Sequence, residues 1–371
     1  MRSTIASGIF FKFSLDYLVI LGIIIYVLAA ASVSLNRFWQ FDAFWYDLGL
    51  YDGAIWKVAN FQLPVVEQFG PPDKLIFADH FNPSLFLLSP IYWFTDRTEA
   101  LLVLQAALVG GGAWFAYLIA RKNLASRLAT VALLFAYLGF VGLQNALYTD
   151  FHDTTVATFF VMFLFWTIFN RRWCLFWLSF IIVLGFKESM AGLGVGIGLY
   201  LVLTREREIK RGLFAIALSV LWYLAATRII IPSFSGASFA YEPIWPISAK
   251  QAILAFFEPA SLKVRTLFFS FLTFGFAPLF SLATMPVVLE HYLERFVLSP
   301  SATRWDLGLH YNALISPLFF VASLPFCRLL LTRGKVLINV WSLALIVVVI
   351  FLHRFLLHGP LLLATDPIFY R

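Results

Sequence analysis

Long segments without a charged residue recur along this chain, separated by short turns. The first runs from Leu18 to Ser34. About 20 apolar residues cross the hydrocarbon layer of a bilayer as one helix, so these segments predict membrane-spanning helices. Pro278 and Pro286 interrupt residues 267–289, where we expect a tight hairpin or a broken helix pair. The other candidates are Leu101 to Ile119, Leu128 to Leu147, Val156 to Phe169, Leu175 to Phe186, Ala191 to Leu203, Leu213 to Ile231, Leu314 to Leu331 and Val336 to Leu352.

These segments predict an all-α membrane protein that crosses the bilayer roughly ten times. Hydrophobic residues make up 61% of the 371 positions and charged residues 13%, against roughly 25% charged residues in soluble domains. The net charge of +7 is explained by the basic turns that orient membrane helices. Membrane lipids are therefore the expected surroundings, and nothing in the composition requires a nucleic-acid partner. Protein partners are not indicated.

Basic clusters predict which ends of the helices face the cytoplasm. With these clusters inside, the N-terminus is cytoplasmic, and only Asp16, Glu206 and Glu208 of the 20 acidic residues lie inside. All six histidines then lie outside, so we expect the polar chemistry on the non-cytoplasmic side. The clusters are Arg121, Lys122 and Arg127; Arg171 and Arg172; Arg205, Arg207, Lys210 and Arg211; and Arg328, Arg333 and Lys335.

The outer connections are unequal within what we interpret as a single polytopic domain, residues 1–371. Residues 37–99 form the first and longest, and residues 232–265 form a second long loop. Within the first loop, residues 46–60 mix apolar side chains with sparse charges, which suits a helix in the membrane interface. The apolar run 81–94 is too short to span and predicts a second juxtamembrane or re-entrant element.

Three aspartates follow the first helix at intervals of five residues: Asp42, Asp47 and Asp52. Five residues turn an α-helix by roughly 500°, so successive side chains would point about 140° apart. One aspartate is therefore the expected catalytic group rather than a cluster of three. The alternative is that these are solvated loop acids, with Asp47 capping the helix that follows.

A second candidate site is the turn "YTDFHDTT", which carries Asp150, His152 and Asp153. Carboxylate and imidazole groups at this spacing could hold a divalent cation or a metal-bound phosphate. The alternative is a polar turn with Thr154 capping the next helix. A divalent cation is the one cofactor that the sequence suggests.

Further candidates lie at the outer ends of apolar segments. Lys187 and Glu188 interrupt one such stretch, and a charged pair there is costly unless it is neutralised or faces water. His80, His310 and Tyr311 each precede an apolar segment, where they bind substrate or merely anchor the interface. Motifs for ATP or dinucleotide binding do not occur.

These motifs, in this order, resemble a known family. "YDLGLYDGAIW", "HFNPSLFLLSPIY", "TDFHDTT", "FKES" and "HYNALISP" are similar to stretches of the bacterial membrane proteins called domain of unknown function 2079. Gly53, Asp153 and Ser189 depart from that family's usual residues. The family in turn resembles the GT-C-type glycosyltransferases, whose first outer loop carries juxtamembrane helices and an essential acid.

The resemblance implies a function and roles for the residues. It implies a glycosyltransferase of the bacterial inner membrane that moves a sugar from a polyprenyl-phosphate donor to an acceptor on the outer side. Asp47 would be the essential acid, and Asp150, His152 and Asp153 would bind the lipid phosphate or an ion. Asp52, His80, Lys187, Glu188, His310 and Tyr311 are the candidate substrate-binding residues.

Two other functions remain open from the sequence. One is a transporter or flippase for a lipid-linked substrate, in which Lys187 and Glu188 would line a path. The other is a non-catalytic membrane protein. For the enzyme, we expect Asp47, Asp150, His152 and Glu188 to open onto one outward-facing cavity.

Overall fold

The computed structural model describes residues 3–204 and 206–371 of the chain. The described part is helical apart from one short antiparallel pair, β1 (Val65–Val66) and β2 (Lys74–Leu75). The α-helices are α1 (Ser3–Trp39), α2 (Trp45–Ala59), α3 (Glu99–Asn123), α4 (Arg127–Leu138), α5 (Val141–Thr149), α6 (Asp153–Phe169), α7 (Trp173–Leu184), α8 (Met190–Thr204), α9 (Ile209–Ala225), α10 (Ile231–Ser235), α11 (Ala249–Phe257), α12 (Ala260–Thr273), α13 (Met285–Phe296), α14 (Ile315–Arg333) and α15 (Lys335–Phe351).

Five helical segments among the described residues are long and apolar enough to cross a membrane, or six if the bent pair α4 and α5 counts as one span. The expected crossings at α6, α7 and α8 are shorter apolar helices. The 12 residues of α7 rise only about 18 Å, less than the thickness of the hydrocarbon layer. The all-helical membrane fold is confirmed, whereas the count of ten crossings stays a prediction. The five segments are Leu15–Trp39, Glu99–Asn123, Ile209–Ser235, His310–Arg333 and Lys335–Leu356.

The bundle has two chemically different ends. Basic turns meet at one of them: Arg121 pairs with Asp16 at 2.7 Å, and Lys122 donates to Asn170 at 2.7 Å. We call this the basic end. Arg205, from the third basic cluster, lies outside the described residues. The opposite end, here the acidic end, carries Asp150 between α5 and α6 and Glu188 between α7 and α8.

The proline-containing segment forms two helices joined by a 3₁₀ turn, as expected for a segment that the prolines interrupt. Helices α12 and α13 flank a 3₁₀ turn, Ala277–Phe280. Pro278 and Pro286 each lie in the first turn of a helical element. A proline there lacks only an N–H that would have no helical partner. Both prolines therefore begin helical elements instead of breaking one.

Close helix packing relies on small residues at two places. A Cβ at Gly110 of α3 would lie 2.4 Å from Val27 Cγ2 of α1, and one at Gly196 of α8 would lie 2.6 Å from Val287 Cα of α13. Neither contact has room for a side chain. Glycine thus lets these helices approach closely, which dispersion forces between membrane helices require.

Residues 40–98 connect α1 to α3 through short elements at the acidic end. Helix α2 begins at Trp45 and covers the stretch predicted to be helical, whereas its place in the membrane interface stays a prediction. The 3₁₀ helix Pro83–Trp93 packs against α2. The backbone N–H of Ser84 donates to the Gly185 carbonyl at 2.8 Å. This bond joins the connection to the break between α7 and α8, so both contribute to one surface.

Candidate functional site

Three polar side chains from two distant segments converge at the acidic end. Asp47 comes from the first turn of α2, and Asp150 and His152 come from the turn between α5 and α6. His152 Nε2 lies 3.4 Å from Asp47 Oδ2, and His152 Nδ1 lies 2.6 Å from Asp150 Oδ1. One imidazole ring therefore joins the two carboxylates. We call these three residues the Asp–His cluster.

Burial divides the cluster into a sealed part and an open part. The side chains of Asp150 and His152 are 0% and 5% exposed, whereas that of Asp47 is 47% exposed. Of the two carboxylates in the cluster, Asp47 is thus the one that a molecule outside the bundle could reach.

The electrostatics follow from this geometry. The ion pair with His152 lowers the pKa of Asp47, whereas burial raises the pKa of Asp150. Burial disfavours a charged His152, but Asp150 and Asp47 outweigh that effect and raise its pKa to about 9. At neutral pH Asp47 is ionised beside an imidazolium group, unless a cation takes the place of that proton.

Two residues that the sequence analysis did not identify hold the turn in place. The Gln105 side chain of α3 donates to the Asp150 carbonyl at 2.8 Å and accepts from the His152 N–H at 2.9 Å. Arg37, at the end of α1, donates to the Thr149 carbonyl at 3.1 Å and to Asp42 Oδ2 at 2.9 Å. The signal for Gln105 was present in the sequence, because it is a lone amide in the apolar run "LLVLQAALV".

His310 extends the cluster on one side. Its ring stacks on that of His152 with centroids 3.4 Å apart and planes 22° apart. Tyr311 lies next to it, with ring centroids 4.0 Å apart. The candidate pair His310 and Tyr311 is thus part of this site, although more than 150 residues separate it from His152.

Glu188 and His80 form a second, neighbouring pair. His80 Nδ1 lies 2.9 Å from Glu188 Oε1, and the Phe81 N–H donates to Glu188 Oε2 at 3.2 Å. Burial would raise the pKa of Glu188, but the charges of His80 and Lys187 lower it. Glu188 is only 2% exposed, and Asp150 and His152 are sealed as well, so these residues do not open onto one cavity with Asp47 as we expected. Glu188 fixes His80 in place instead.

A family model described as "Predicted membrane protein (DUF2079)" matches residues 37–365. The chain belongs to this DUF2079 family. The match spans most of the chain and includes every residue of the Asp–His cluster. No curated protein and no solved structure matches the chain significantly.

The Asp–His cluster of this DUF2079 protein has the donors for a divalent cation. One ligand atom from each of Asp47, Asp150 and His152 lies within 4.8 Å of the other two. Both oxygens of Asp150 and both ring nitrogens of His152 are buried without a hydrogen bond of good geometry. The 2.6 Å contact between them is therefore an ion pair rather than a directed hydrogen bond. Buried polar atoms rarely lack a hydrogen-bond partner in folded proteins. Carboxylate with imidazole is a donor set that suits divalent metals.

Asp153 and Asp52 do not belong to this cluster. The sequence analysis grouped Asp153 with Asp150 and His152, but its Oδ1 accepts from the Thr154 N–H at 2.6 Å, at the first turn of α6. Asp47 instead completes the group of three side chains that could hold a cation. Asp52 accepts from Tyr92 and, at 2.9 Å, from the Thr98 hydroxyl. Both of its oxygens bind other parts of the protein, as expected for a residue that joins α2 to the 3₁₀ helix.

Replacing Gln105 by leucine is expected to loosen the turn that carries Asp150 and His152. Leucine keeps the apolar volume but leaves two buried backbone groups without partners, at a cost of about 1–3 kcal/mol each. We expect a lower midpoint of thermal unfolding and about tenfold weaker Mn²⁺ binding, the range seen when groups that orient metal ligands are lost. Titration of the purified protein, with the Mn²⁺ signal followed by electron paramagnetic resonance, measures the affinity.

The matched control for this variant is Gln144→Leu. Gln144 is also buried, and its side chain makes one hydrogen bond to the described residues, to the Leu138 carbonyl at 3.1 Å. It should lower stability slightly and leave Mn²⁺ binding intact. Unchanged Mn²⁺ affinity in Gln105→Leu would show that the amide does not hold the cluster.

Proposed function

We propose that this DUF2079 protein is a membrane glycosyltransferase of GT-C type, which moves a sugar from a polyprenyl-phosphate donor to an acceptor on the non-cytoplasmic side. One observation carries the proposal. An accessible carboxylate, Asp47, lies just after the first membrane helix and adjoins a sealed carboxylate and imidazole that come from a distant turn. The GT-C resemblance implies an essential acid at this place, shortly after the first membrane helix.

The proposed reaction uses Asp47 as the proton acceptor. An acceptor hydroxyl attacks the anomeric carbon of the donor sugar, the bond from that carbon to the phosphate oxygen breaks, and the hydroxyl proton passes to the Asp47 carboxylate. The lowered pKa of Asp47 keeps it ionised before the step. The products are the glycosylated acceptor and the polyprenyl phosphate.

His152 and Asp150 orient this carboxylate in the proposal. Asp150 fixes one nitrogen of the ring so that the other faces Asp47. Where a divalent cation binds, we propose that Asp47, Asp150 and His152 hold it, and such a cation supplies positive charge that stabilises a departing phosphate.

The location of this chemistry is part of the proposal. We place the protein in the bacterial inner membrane, with roughly ten crossings, the basic end cytoplasmic and the acidic end outside. Two kinds of reporter enzyme can be fused within residues 121–127 and 205–211: one that is active only in the cytoplasm and one that is active only outside it. We expect activity from the cytoplasmic reporter alone. Activity of an outside-only reporter at both turns would contradict the orientation.

A transporter is less well supported. A path lined by Lys187 and Glu188 would need both groups to face it, yet Glu188 is buried against His80 and the Phe81 N–H. A group held in this way is suited to positioning a neighbour rather than to contacting a moving substrate.

Vesicles that contain the purified full-length protein test the proposed function. They should transfer radiolabelled sugar from a polyprenyl-phosphate sugar to an acceptor, and not from the matching nucleotide sugar. If neither donor supports transfer to any lipid, glycan or protein fraction of the same membranes, the proposal fails.

A further inference from the structure

A cavity adjoins the Asp–His cluster on the far side of the His310 ring. Helix α13, the 3₁₀ turns Ala302–Arg304 and His310–Asn312, and the break between α7 and α8 contribute to its lining. Its polar lining includes Lys187, Glu290, Arg295, Arg304, His310 and Tyr311. His310 is the wall that the cavity shares with the cluster, because the same ring stacks on His152.

Hydrogen-bond donors in this lining lack acceptors. Arg304 gives one nitrogen to Glu294 Oε1 at 2.7 Å, but its Nε is buried without a partner, and so is His310 Nδ1. His310 as a whole is only 8% exposed. The ammonium group of Lys187 lies in the field of Asp153 and Glu188, yet within residues 3–204 and 206–371 it makes no hydrogen bond or ion pair. Unpaired buried donors are costly, and an acceptor that reached them would remove the cost.

The cavity also carries excess positive charge. Arg295 is 1% exposed and donates to the Arg304 carbonyl and to Asn312 Oδ1, both neutral groups. No carboxylate among the described residues pairs with it. Burial lowers its pKa to about 10, which still leaves it charged at neutral pH.

The two acids in the lining do not cancel this charge. Glu294 is paired with Arg304. Burial and the neighbouring Glu294 raise the pKa of Glu290 well above its ordinary value, which favours its neutral form. Among the described residues, Lys187 and Arg295 are thus cations of the lining without an ion-pair partner, and their charge favours a ligand that carries negative charge.

We propose that this cavity binds a phosphate group, with Arg304, Lys187 and His310 as its donors. Tetrahedral phosphate oxygens accept hydrogen bonds from several directions, and arginine and lysine are its usual partners. Within the proposed function, on which the choice of ligand rests, this phosphate is the one that links the polyprenyl chain to the sugar. The shared His310 wall would hold it beside the cluster, where its bond to the sugar is broken.

Direct binding measurements test the phosphate site without requiring sugar transfer. The full-length protein is placed in lipid nanodiscs with a metal chelator, and its affinity for a short-chain polyprenyl phosphate, for the polyprenol without phosphate and for inorganic phosphate is measured. We expect the polyprenyl phosphate to bind and the polyprenol not to bind. Arg304→Gln and Lys187→Gln should each weaken binding about tenfold or more, the effect of losing a charge-assisted hydrogen bond.

Arg228→Gln is the matched control, because Arg228 also pairs with a glutamate at 2.7 Å but lies away from the cavity. It should bind the polyprenyl phosphate as the unmodified protein does, and all variants should keep their unfolding midpoints. Binding of inorganic phosphate with the same dependence on Arg304 would also support the site, and would identify free phosphate as a ligand. Equal weakening by Arg228→Gln and Arg304→Gln, or no phosphate-dependent binding, would overturn the proposal. Phosphate binding without any sugar transfer would overturn the proposed function alone.

Discussion

Replacing Asp47 by asparagine is expected to lower sugar transfer by about 10²- to 10⁴-fold, the usual cost of losing a general base. Asparagine keeps the size of the side chain and much of its hydrogen bonding but removes the charge and the basicity. The acceptor proton would then have no good recipient. Transfer of radiolabelled sugar in vesicles that carry matched amounts of each variant measures the loss.

Asp52→Asn is the internal control for this result. Asp52 lies on the same helix, but its oxygens accept from Tyr92 and Thr98, and an amide can keep one such bond. Its transfer rate should stay within a fewfold of the unmodified rate. Near-normal transfer by Asp47→Asn would remove Asp47 from the mechanism. Loss of transfer in Asp52→Asn alone would show that Asp52, and not Asp47, is the catalytic aspartate. A helix-capping role would also leave Asp47→Asn active, since asparagine caps nearly as well as aspartate.

Replacing Asp150 by asparagine is expected to abolish high-affinity binding of a divalent cation. Asp150 is sealed, and its carboxylate is one of the two negative charges within ligand distance of His152. Loss of a group that orients a metal ligand lowers affinity roughly 10- to 100-fold. We expect Mn²⁺ affinity to fall by more than that here, because a ligand itself is lost. The same Mn²⁺ titration by electron paramagnetic resonance applies here.

Asp153→Asn provides the comparison for Asp150→Asn. Asp153 is equally buried and only three positions away, yet it is outside the cluster. Its Mn²⁺ affinity should equal that of the unmodified protein. If both variants lose Mn²⁺ affinity alike, Asp153 belongs with Asp150 and His152, as the sequence suggested, and the Asp–His cluster defined from the structure is wrong. If the unmodified protein binds no Mn²⁺, the cluster is an ion pair and not a cation site.

The sequence predicted the elements of this fold better than their contacts. Apolar length and basic turns are local properties, and they were enough for the helices and for the separation of the two ends. Pro278 and Pro286 likewise predicted the break between α12 and α13, because proline acts on its own backbone. The number of crossings did not follow so directly, because helices as short as α7 are too short to count as spans by length and composition.

The cluster shows why sites are harder to predict than helices. Sequence proximity grouped Asp153 with His152, but the first turn of α6 commits Asp153 to its own backbone. Asp47 instead reaches His152 from a segment about a hundred residues earlier. Such a contact depends on how helices pack, which a single sequence does not encode in any local pattern. Arg295 and Arg304 were missed for the same reason, whereas Gln105 was missed although a lone amide in an apolar run is a local signal.

The central claim, transfer of sugar from a lipid-linked donor, is tested most directly by the donor itself. Mass spectrometry of membrane lipids from a strain that lacks this protein should detect a polyprenyl-phosphate sugar at a raised level. Expression of the unmodified protein should restore the normal level, and expression of Asp47→Asn should not. An unchanged pool of polyprenyl-phosphate sugars in the deletion strain, or full restoration by Asp47→Asn, would contradict the account.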